Sequence, residues 1–543
     1  MGIADKVIKS NLIFTACDDE PISGAVIVNG NKITAVASDA EVDAYIGAET
    51  EVYEYKDQLV MPGLIDAHEH LWWGAVADSP HMVDITSSTS EEEAVQMIKA
   101  YADANPQEKR IRGFGWFPSN WNDDPLPTKN SLDEIISDRP VYMLAADAHT
   151  GWLNSLALEE SGYYPGMELD GGSIGIDENG EMNGLIFEPD ALIHAWNKLY
   201  AFPEEEVEGI VDAFMAGLAS YGVTSISEMS ADAYNDEIHK RYQMFQKMAD
   251  EGKMTSRVHA YTKLMKMTDF TTAKEWAEEF SGGIFKVSGL KGFLDGVAST
   301  YTAYLKEPYT DRTDTCGEGV PLATKESLEA SVIAGNAAGL PVRIHAIGDA
   351  AVAMALDAYE CSLRANGNHG LVNTIEHIET ADPADIPRFK ELGVLASMQG
   401  EHIPLDADEK VIRMGPERTR WQWPIKSFLD AGVDVAFGTD YPIVRYNQFV
   451  GIYSAITREN YDGTPSNQGL SDVEKITLPQ ALRANTMGGA IAYSRPDEIG
   501  SLEAGKLADI IVLDRALFGQ DVSEVKNAKV VLTMMDGKIT YKA

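Results

Sequence analysis

The chain has few cysteines and no long apolar run. Only three cysteines occur among 543 residues, and Cys17, Cys316 and Cys361 lie far apart with no CxxC spacing. Such a sparse, odd set argues against a disulfide framework and is typical of a reducing compartment. The sequence lacks an apolar run of membrane-spanning length, and its N-terminal segment lacks the pattern of a signal peptide. A cytoplasmic location is therefore expected.

Basic residues are scarce relative to acidic ones. The chain has 44 Lys plus Arg against 85 Asp plus Glu, which gives a formal net charge of −41. A field of this sign repels phosphate backbones and argues against nucleic acid as a partner. A well-solvated surface is the simplest explanation of the acidic excess, with adaptation to salt or attraction of cationic ligands as alternatives. We expect a small-molecule partner and no membrane partner, and the sequence leaves open whether the chain forms a homo-oligomer.

Both ends of the chain predict short β-strands. The strand-like segments are KVIKSNLIFTA, AVIVNGNKITAVA and EVYEYKDQLVMPG near the N-terminus, and KLADIIVLD and AKVVLTMMDGKITYKA near the C-terminus. Asn-Gly and Asp-Gly turns lie within two of these segments. Because chain ends often lie close together, we expect residues 1–60 and 495–543 to form one small β-sandwich.

The middle of the chain, residues 61–494, alternates strand-like and helical segments. The strand candidates are LVMPGLIDAH, VTSISEM, FKVSGLKGFLD, LPVRIHAIG, LVNTIEHIE, GVLASMQG and VDVAFGTD. Helical stretches such as EEVEGIVDAFMAGLASYG separate several of them. The alternation predicts an α/β fold with a parallel sheet, and its length favours a closed (β/α)8 barrel. Residues of about 75–195 do not follow this alternation of strands and helices. We interpret them as an insertion over the barrel mouth that helps to form the substrate pocket.

Four histidines and an aspartate lie at the ends of strand candidates. His68 and His70 are two residues apart on a strand and therefore point to the same side. His345, His377 and Asp440 each end a different strand candidate. The C-terminal strand ends of a barrel converge on one mouth, where active sites lie. One such histidine alone is more simply a core residue, but the group together predicts a divalent metal site.

Several motifs, in this order, resemble the amidohydrolase superfamily. They are MPGLIDAHEH, LKGFLDGVAST, VRIHAIGDAA, IEHIE, FGTDYP and SLEAGKLADIIVLD. The DAHTGWLNSLAL segment and the run from GFGW to RPVYML are similar to its long-chain branch, which includes N-substituted formamide deformylase. The likeness covers nearly the whole chain. It implies that His68 and His70 bind the more buried metal, His345 and His377 bind a second metal, and Asp440 contacts metal and solvent nucleophile.

The resemblance also implies a role for Lys291 in KGFLDG. The family has a lysine here that is often carboxylated by CO2, so that its carbamate bridges two metals. An unmodified, cationic lysine would be a poor ligand, and the sequence leaves open whether one or two ions bind. Zinc suits nitrogen and carboxylate ligands, although manganese, iron or cobalt also fit.

The activity implied by the resemblance is metal-dependent hydrolysis of a carbon–nitrogen bond other than a peptide bond. A metal supplies hydroxide at neutral pH, and Asp440 would act as general base and then general acid toward the leaving amine. An N-acyl or N-formyl compound is the leading substrate class. Deamination of a heterocycle is the alternative within hydrolases. Deaminases of the superfamily typically lack a bridging lysine, so that Lys291 counts against this alternative. A non-catalytic metal-binding barrel, or a lyase or isomerase, is a further alternative.

Substrate contacts are predicted at Trp116, His149, Gln399 and His402. Trp116 and His149 lie at positions that resemble the branch's pocket, where His149 either donates to the scissile carbonyl or is a structural loop histidine. Gln399 and His402 follow the seventh strand candidate and are expected to reach the barrel mouth.

Other acidic and aromatic residues have two interpretations each. Glu376 and Asp349 either orient ligand imidazoles or are ordinary loop and helix-capping acids. Four aromatic residues either line an apolar pocket or pack the core of the insertion: Trp72, Trp73, Phe117 and Trp121.

Overall fold

A computed structural model describes residues 2–116, 121, 126–146, 149–169, 172–313, 319–405 and 407–543. Its strands are β1 (Lys6–Ile13), β2 (Ile22–Asn29), β3 (Lys32–Ala37), β4 (Glu51–Pro62), β5 (Leu64–Glu69), β6 (Met82–Asp84), β7 (Ile111–Trp116), β8 (Val141–Ala145), β9 (Thr150–Leu153), β10 (Ser173–Ile176), β11 (Met182–Phe187), β12 (Val223–Asp232), β13 (Arg257–Lys263), β14 (Phe285–Phe293), β15 (Val342–Ala346), β16 (Thr374–His377), β17 (Leu395–Met398), β18 (Val435–Phe437), β19 (Ile510–Leu513), β20 (Val530–Met535) and β21 (Lys538–Lys542).

The α-helices are α1 (Leu71–Ala77), α2 (Glu91–Ala104), α3 (Lys129–Ile135), α4 (Ser155–Ser161), α5 (Pro189–Leu199), α6 (Glu204–Ser220), α7 (Asp236–Asp250), α8 (Thr271–Glu279), α9 (Lys325–Ala337), α10 (Asp349–Asn366), α11 (Ile386–Leu392), α12 (Ala407–Thr419), α13 (Ile425–Asp430), α14 (Gln448–Thr457), α15 (Leu478–Ala484), α16 (Met487–Ala492) and α17 (Ser523–Lys526). Among the described residues, none of these helices is both long and apolar enough to cross a membrane.

Eight parallel strands form the expected barrel. They are ordered β18-β17-β16-β15-β14-β13-β12-β5, so that successive strands are neighbours in the sheet. The first and last strands meet through the residues that follow β18, because the Asp440 N–H donates to the His68 carbonyl at 2.7 Å and the His70 N–H donates to the Tyr441 carbonyl at 3.1 Å. The predicted (β/α)8 fold is therefore confirmed.

Both chain ends contribute to one seven-stranded sheet, in the order β21-β20-β19-β4-β1-β2-β3. The sheet folds back so that the N–H of Ile33, on β3, donates to the Lys506 carbonyl at 2.9 Å, just before β19. Apolar side chains are buried on both faces, with Ile8 and Val26 in one cluster and Val7 and Ala25 in another. This sheet joins the N- and C-terminal segments, as expected from their strand patterns.

The chain divides into two compact units, and the second comprises residues 72–214. This unit has its own six-stranded sheet in the order β10-β11-β9-β8-β7-β6. Strands β6, β7 and β8 are parallel, whereas β9, β10 and β11 pair antiparallel. The mixed sheet explains why this stretch does not follow the regular strand–helix alternation of the barrel.

Two strand assignments differ from the sequence prediction. The segment LVMPGLIDAH was expected to be one strand, but it is divided at Gly63 between β4 of the end sheet and β5 of the barrel. Strand β13 was not predicted, because its sequence RVHAYTK is rich in polar residues. Tertiary partners explain its burial: Arg257 contacts Asp509, and the His259 ring stacks on Tyr493 with centroids 4.0 Å apart.

We expect Arg257→Ala to lower the free energy of unfolding by about 3–5 kcal/mol, because it leaves a buried charge without its partner. The Arg257 guanidinium is 1% exposed and contacts Asp509 and Asp536, which joins β13 to the end sheet. Urea unfolding followed by circular dichroism measures the effect. Lys9→Ala removes the exposed Lys9–Glu54 pair and should cost less than about 1 kcal/mol. Equal effects of the two substitutions would contradict this role of Arg257.

Candidate metal centre

Three strands of the barrel bring the candidate ligands together at their C-terminal ends. His68 lies near the end of β5 and His70 follows it, His377 is the last residue of β16, and Asp440 follows β18. The His68 and His377 ring centroids are 4.6 Å apart, and those of His68 and His70 are 5.7 Å apart. All four side chains are buried. The strand ends therefore gather three imidazoles around one carboxylate.

His68 is held by a chain of buried ionic hydrogen bonds. Its Nδ1 lies 2.6 Å from Glu376 Oε2, and Arg343 Nε donates to Glu376 Oε1 at 2.7 Å. Burial opposes the charge of Glu376, but the Arg343 guanidinium holds the pKa of this carboxyl well below its usual range. With Nδ1 as the donor to Glu376, the Nε2 lone pair of His68 is available to a metal. The contact expected of an orienting Glu376 is thus present in the structure, and the orienting role itself stays a prediction.

Asp440 lies at the centre of the group. Its Oδ1 is 3.0 Å from His70 Nε2 and 3.4 Å from His68 Nε2, and its Oδ2 is 4.0 Å from His377 Nδ1. Burial works against the charge of Asp440, but the surrounding imidazoles hold its pKa well below the usual range. Burial also lowers the pKa of His68 to about 3, with a contribution from Lys291. A neutral His68 imidazole beside an ionised carboxylate is the pair of protonation states that a divalent metal requires.

The backbone that carries these ligands is strained and closely packed. His377 has φ of +72° and Asp440 has φ of +61°, a left-handed region that costs residues other than glycine about 1–3 kcal/mol. Gly438 allows the end of β18 to approach β5, since a Cβ there would lie 2.4 Å from the His68 nitrogen. Thr439 then donates to Asp66 through its hydroxyl at 2.6 Å. Tertiary contacts therefore impose the position of Asp440.

Lys291 lies within the same group. Its Nζ is 3.4 Å from His68 Nε2, and the side chain is fully buried. Burial lowers the pKa of Lys291 to about 8, although the carboxylates of Glu376 and Asp440 oppose the shift. The position of Lys291 in KGFLDG thus places its amine next to a candidate ligand. The lowered pKa makes the neutral form of this amine accessible.

His345 lies beside His377, with ring centroids 4.4 Å apart. Its Nε2 is 3.7 Å from Oδ1 of Asp295, a buried carboxylate that accepts backbone N–H groups from Tyr304, Ile347 and Gly348. Burial raises the pKa of Asp295 to about 7 against these hydrogen bonds.

Gln399 and His402 are both buried close to His377. Gln399 Oε1 lies 2.9 Å from His377 Nδ1, so that its amide fixes the orientation of this imidazole. The His402 ring lies nearly parallel to that of His377, with centroids 6.5 Å apart. Two groups of donor atoms result, and the atoms within each group lie within 4.8 Å of one another. One group comprises His68, His70 and Asp440, and the other comprises His377, His402 and Asp440.

The other predicted site residues lie in the second unit. Trp116 is 1% exposed and packs against Trp121 and Trp152, with ring centroids 5.8 and 6.2 Å away. His149 Nδ1 lies 2.8 Å from Glu188 Oε2. The substrate-contact roles of Trp116 and His149 stay predictions.

The remaining aromatic and acidic candidates have local packing partners. Trp121 belongs to the buried core of the second unit, as one of the two interpretations expected. Trp72 packs on Phe202 and Trp73 on Trp196, while Phe117 lies outside the described residues. Asp349 begins α10 and accepts the Lys306 N–H at 2.9 Å, a backbone contact and not one with an imidazole.

Arg343 and Asp295 are site residues that the sequence predictions did not include. Arg343 is 1% exposed and donates to the Ser227 hydroxyl at 2.8 Å and the Ala67 carbonyl at 2.9 Å, besides Glu376. A signal was present in VRIHAIGD, where the arginine lies two residues before His345 and hence on the same side of the strand. The signal for Asp295 in KGFLDG was weaker, because its partners are backbone groups distant in sequence.

The donors present suit a divalent transition metal. Imidazole nitrogen and carboxylate oxygen are the ligands that zinc and related ions take in proteins. His68 is oriented by Glu376 and His377 by Gln399, an arrangement typical of metal-ligating histidines. The chemistry and burial of these side chains therefore fit the metal that the sequence predicts.

Comparisons with known proteins show which family the chain resembles. An amidohydrolase family model matches residues 51–541. Protein LONG AFTER FAR-RED 3 from Arabidopsis thaliana is 29% identical and aligns over 99% of this chain and 92% of its own length. The N-substituted formamide deformylase of Arthrobacter pascens is 27% identical, with 95% of each chain covered. An uncharacterized metal-dependent hydrolase from Pyrococcus horikoshii OT3 superposes with a TM-score of 0.77 at 26% identity, over 95% of this chain and 99% of that one.

The family match spans the barrel, the second unit and the strands of the end sheet from β4 onward, so that it concerns most of the architecture and not one motif. It confirms the family predicted from the strand-end histidines and their surrounding motifs. The chain belongs to the amidohydrolase family and is a hydrolase.

Proposed function

We propose that this enzyme hydrolyses an amide-type carbon–nitrogen bond in a small organic molecule, an N-acyl or N-formyl compound. The observation that carries the proposal is the convergence of His68, His70 and His377 on Asp440, with Lys291 beside them. The similarity to an N-substituted formamide deformylase supports this bond type. The reaction would consume one amide and one water, and it would release one carboxylic acid and one free amine.

The proposed cofactor is a divalent metal, with zinc as the first choice and one or two ions per chain. The predicted ligands His68, His70, His345, His377 and Asp440 would hold it. When bound, such an ion lowers the pKa of water from 15.7 to about 7 and polarises a carbonyl oxygen. Histidines bind a metal as neutral imidazoles, so that Asp440 would provide the negative charge of these ligands.

Asp440 is the proposed proton carrier. Its carboxylate would accept the proton of the attacking water and then deliver it to the nitrogen of the leaving amine. The left-handed backbone at Asp440 and its N–H bond to the His68 carbonyl at 2.7 Å fix the carboxylate close to the ligand imidazoles. One group thereby serves both proton transfers.

We propose further that Lys291 is carboxylated. A neutral amine adds to CO2 and releases one proton, which gives a carbamate with two oxygen donors. The position of Lys291 Nζ, 3.4 Å from His68 Nε2, and the lowering of its pKa to about 8 by burial support this modification. The carbamate would replace a cation by an anion among the metal ligands.

The alternative within the same family is deamination of a heterocycle. Both reactions use a metal and a proton-carrying carboxylate, and they differ in the leaving group. An amidase releases an acid together with an amine, whereas a deaminase releases ammonia. Product analysis therefore separates the two directly.

We expect zinc-loaded enzyme to consume one or more N-acyl or N-formyl compounds from a mixed library that also contains lactams and aminoheterocycles. Mass spectrometry would detect the acid and the amine together. Asp440→Asn should lower the rate by about 10²–10⁴-fold, because it removes the proton carrier. Conversion that releases only ammonia would replace the amidase proposal by deamination, and conversion that is equal in Asp440→Asn would exclude this site.

Glu376→Gln should weaken metal binding by about 10–100-fold, because it weakens the hydrogen bond that orients His68. Affinity is measured by competition with a chromophoric chelator on protein first stripped of metal. Asp349→Asn is the matched control, since the Asp349 carboxylate accepts the Lys306 backbone N–H. The orienting role of Glu376 would be wrong if both variants bound metal as the unchanged protein does.

A further inference from the structure

His402 is buried beside His377 and Asp440, as a member of the second group of donor atoms. Its position in the sequence did not predict this membership. It ends a short 3-10 turn, Gly400–His402, directly after β17, and only 4% of it is exposed. Its Nε2 is buried and has no hydrogen-bond partner in the described part of the chain. A buried imidazole nitrogen without a partner is costly, and a metal ion would satisfy it.

The surroundings fix this imidazole toward His377 and Asp440. The turn packs so closely on α14 that a Cβ at Gly400 would lie 2.3 Å from the Gly451 carbonyl oxygen. On its other side, the His402 ring meets Trp423 edge-on, with centroids 5.9 Å apart. Backbone and side-chain packing therefore leave little freedom to turn the ring away from the donor group.

We infer that His402 is a metal ligand, together with His377 and Asp440. The donor atoms of these three residues lie within 4.8 Å of one another, and no group of this kind among the described residues includes His345. The inference rests on the proposed metal-dependent function and deepens it. It gives His402 a role different from the predicted substrate contact, and it adds a ligand to the set that the strand-end motifs imply.

The chemistry of the three donors favours a divalent transition ion. Two imidazoles and one carboxylate match zinc or cobalt, whereas calcium and magnesium prefer oxygen ligands alone. Gln399 Oε1 is 2.9 Å from His377 Nδ1, which leaves the other nitrogen of that ring as the donor. Asp440 belongs to both donor groups and would link them.

Cobalt binding to metal-free protein tests the inference without reference to activity. His402→Ala should weaken the binding of a cobalt ion by more than about 100-fold and change the visible absorption spectrum of bound cobalt. Gln399→Ala is the matched control on the same turn, because it removes only an orienting partner and should cost about 10–100-fold. His402→Asn provides a second variant, and circular dichroism of the metal-free forms checks that each is folded.

Unchanged cobalt affinity and spectrum in His402→Ala and His402→Asn, with His377→Ala impaired, would overturn the inference and return His402 to substrate binding. Unchanged cobalt binding in His377→Ala as well would also overturn the inference, because the group of His377, His402 and Asp440 would then not bind the metal. Loss of cobalt binding in the His402 variants, together with conversion that releases only ammonia in the unchanged enzyme, would support the ligand role while contradicting the proposed reaction. The two hypotheses are therefore separable.

Discussion

The close approach of the end of β18 to β5 is the constraint on which the site depends. Gly438 makes room for the backbone of His68, and the Asp440 N–H then donates to the His68 carbonyl at 2.7 Å. This contact closes the barrel and, in the same step, brings the Asp440 carboxylate to 3.0 Å from His70 Nε2. A side chain at Gly438 would separate the strands, so that fold closure and site assembly share one cause.

Charge compensation inside the barrel is the second requirement. Burying Glu376 without a partner would be costly, but Arg343 and His68 both hydrogen-bond to it. Arg343 is in turn satisfied by Ser227 and the Ala67 carbonyl, which lie on other strands. Replacing one member therefore affects several strands, and a buried network of this kind stabilises the orientation of a ligand as well as the fold.

Asp440 belongs to both groups of donor atoms, and this shared position determines where negative charge lies in the site. One carboxylate next to several imidazoles would carry most of the negative charge available to a metal, unless Lys291 is carboxylated. The same carboxylate is the proposed proton carrier. Metal binding and proton transfer would thus be coupled through one side chain.

The sequence by itself determined the barrel and the family, and it predicted the principal site positions. The spacing of His68 and His70 and the motif around Asp440 are local patterns, and the geometry of a parallel barrel makes strand ends meet. Strand β13 was not predicted from the sequence, because its charged residue Arg257 is buried through an ion pair with Asp509. Asp509 is distant from Arg257 in the chain. Only the tertiary structure decided that His402 joins His377 and Asp440, because burial and distances between different strands are not encoded in any local pattern.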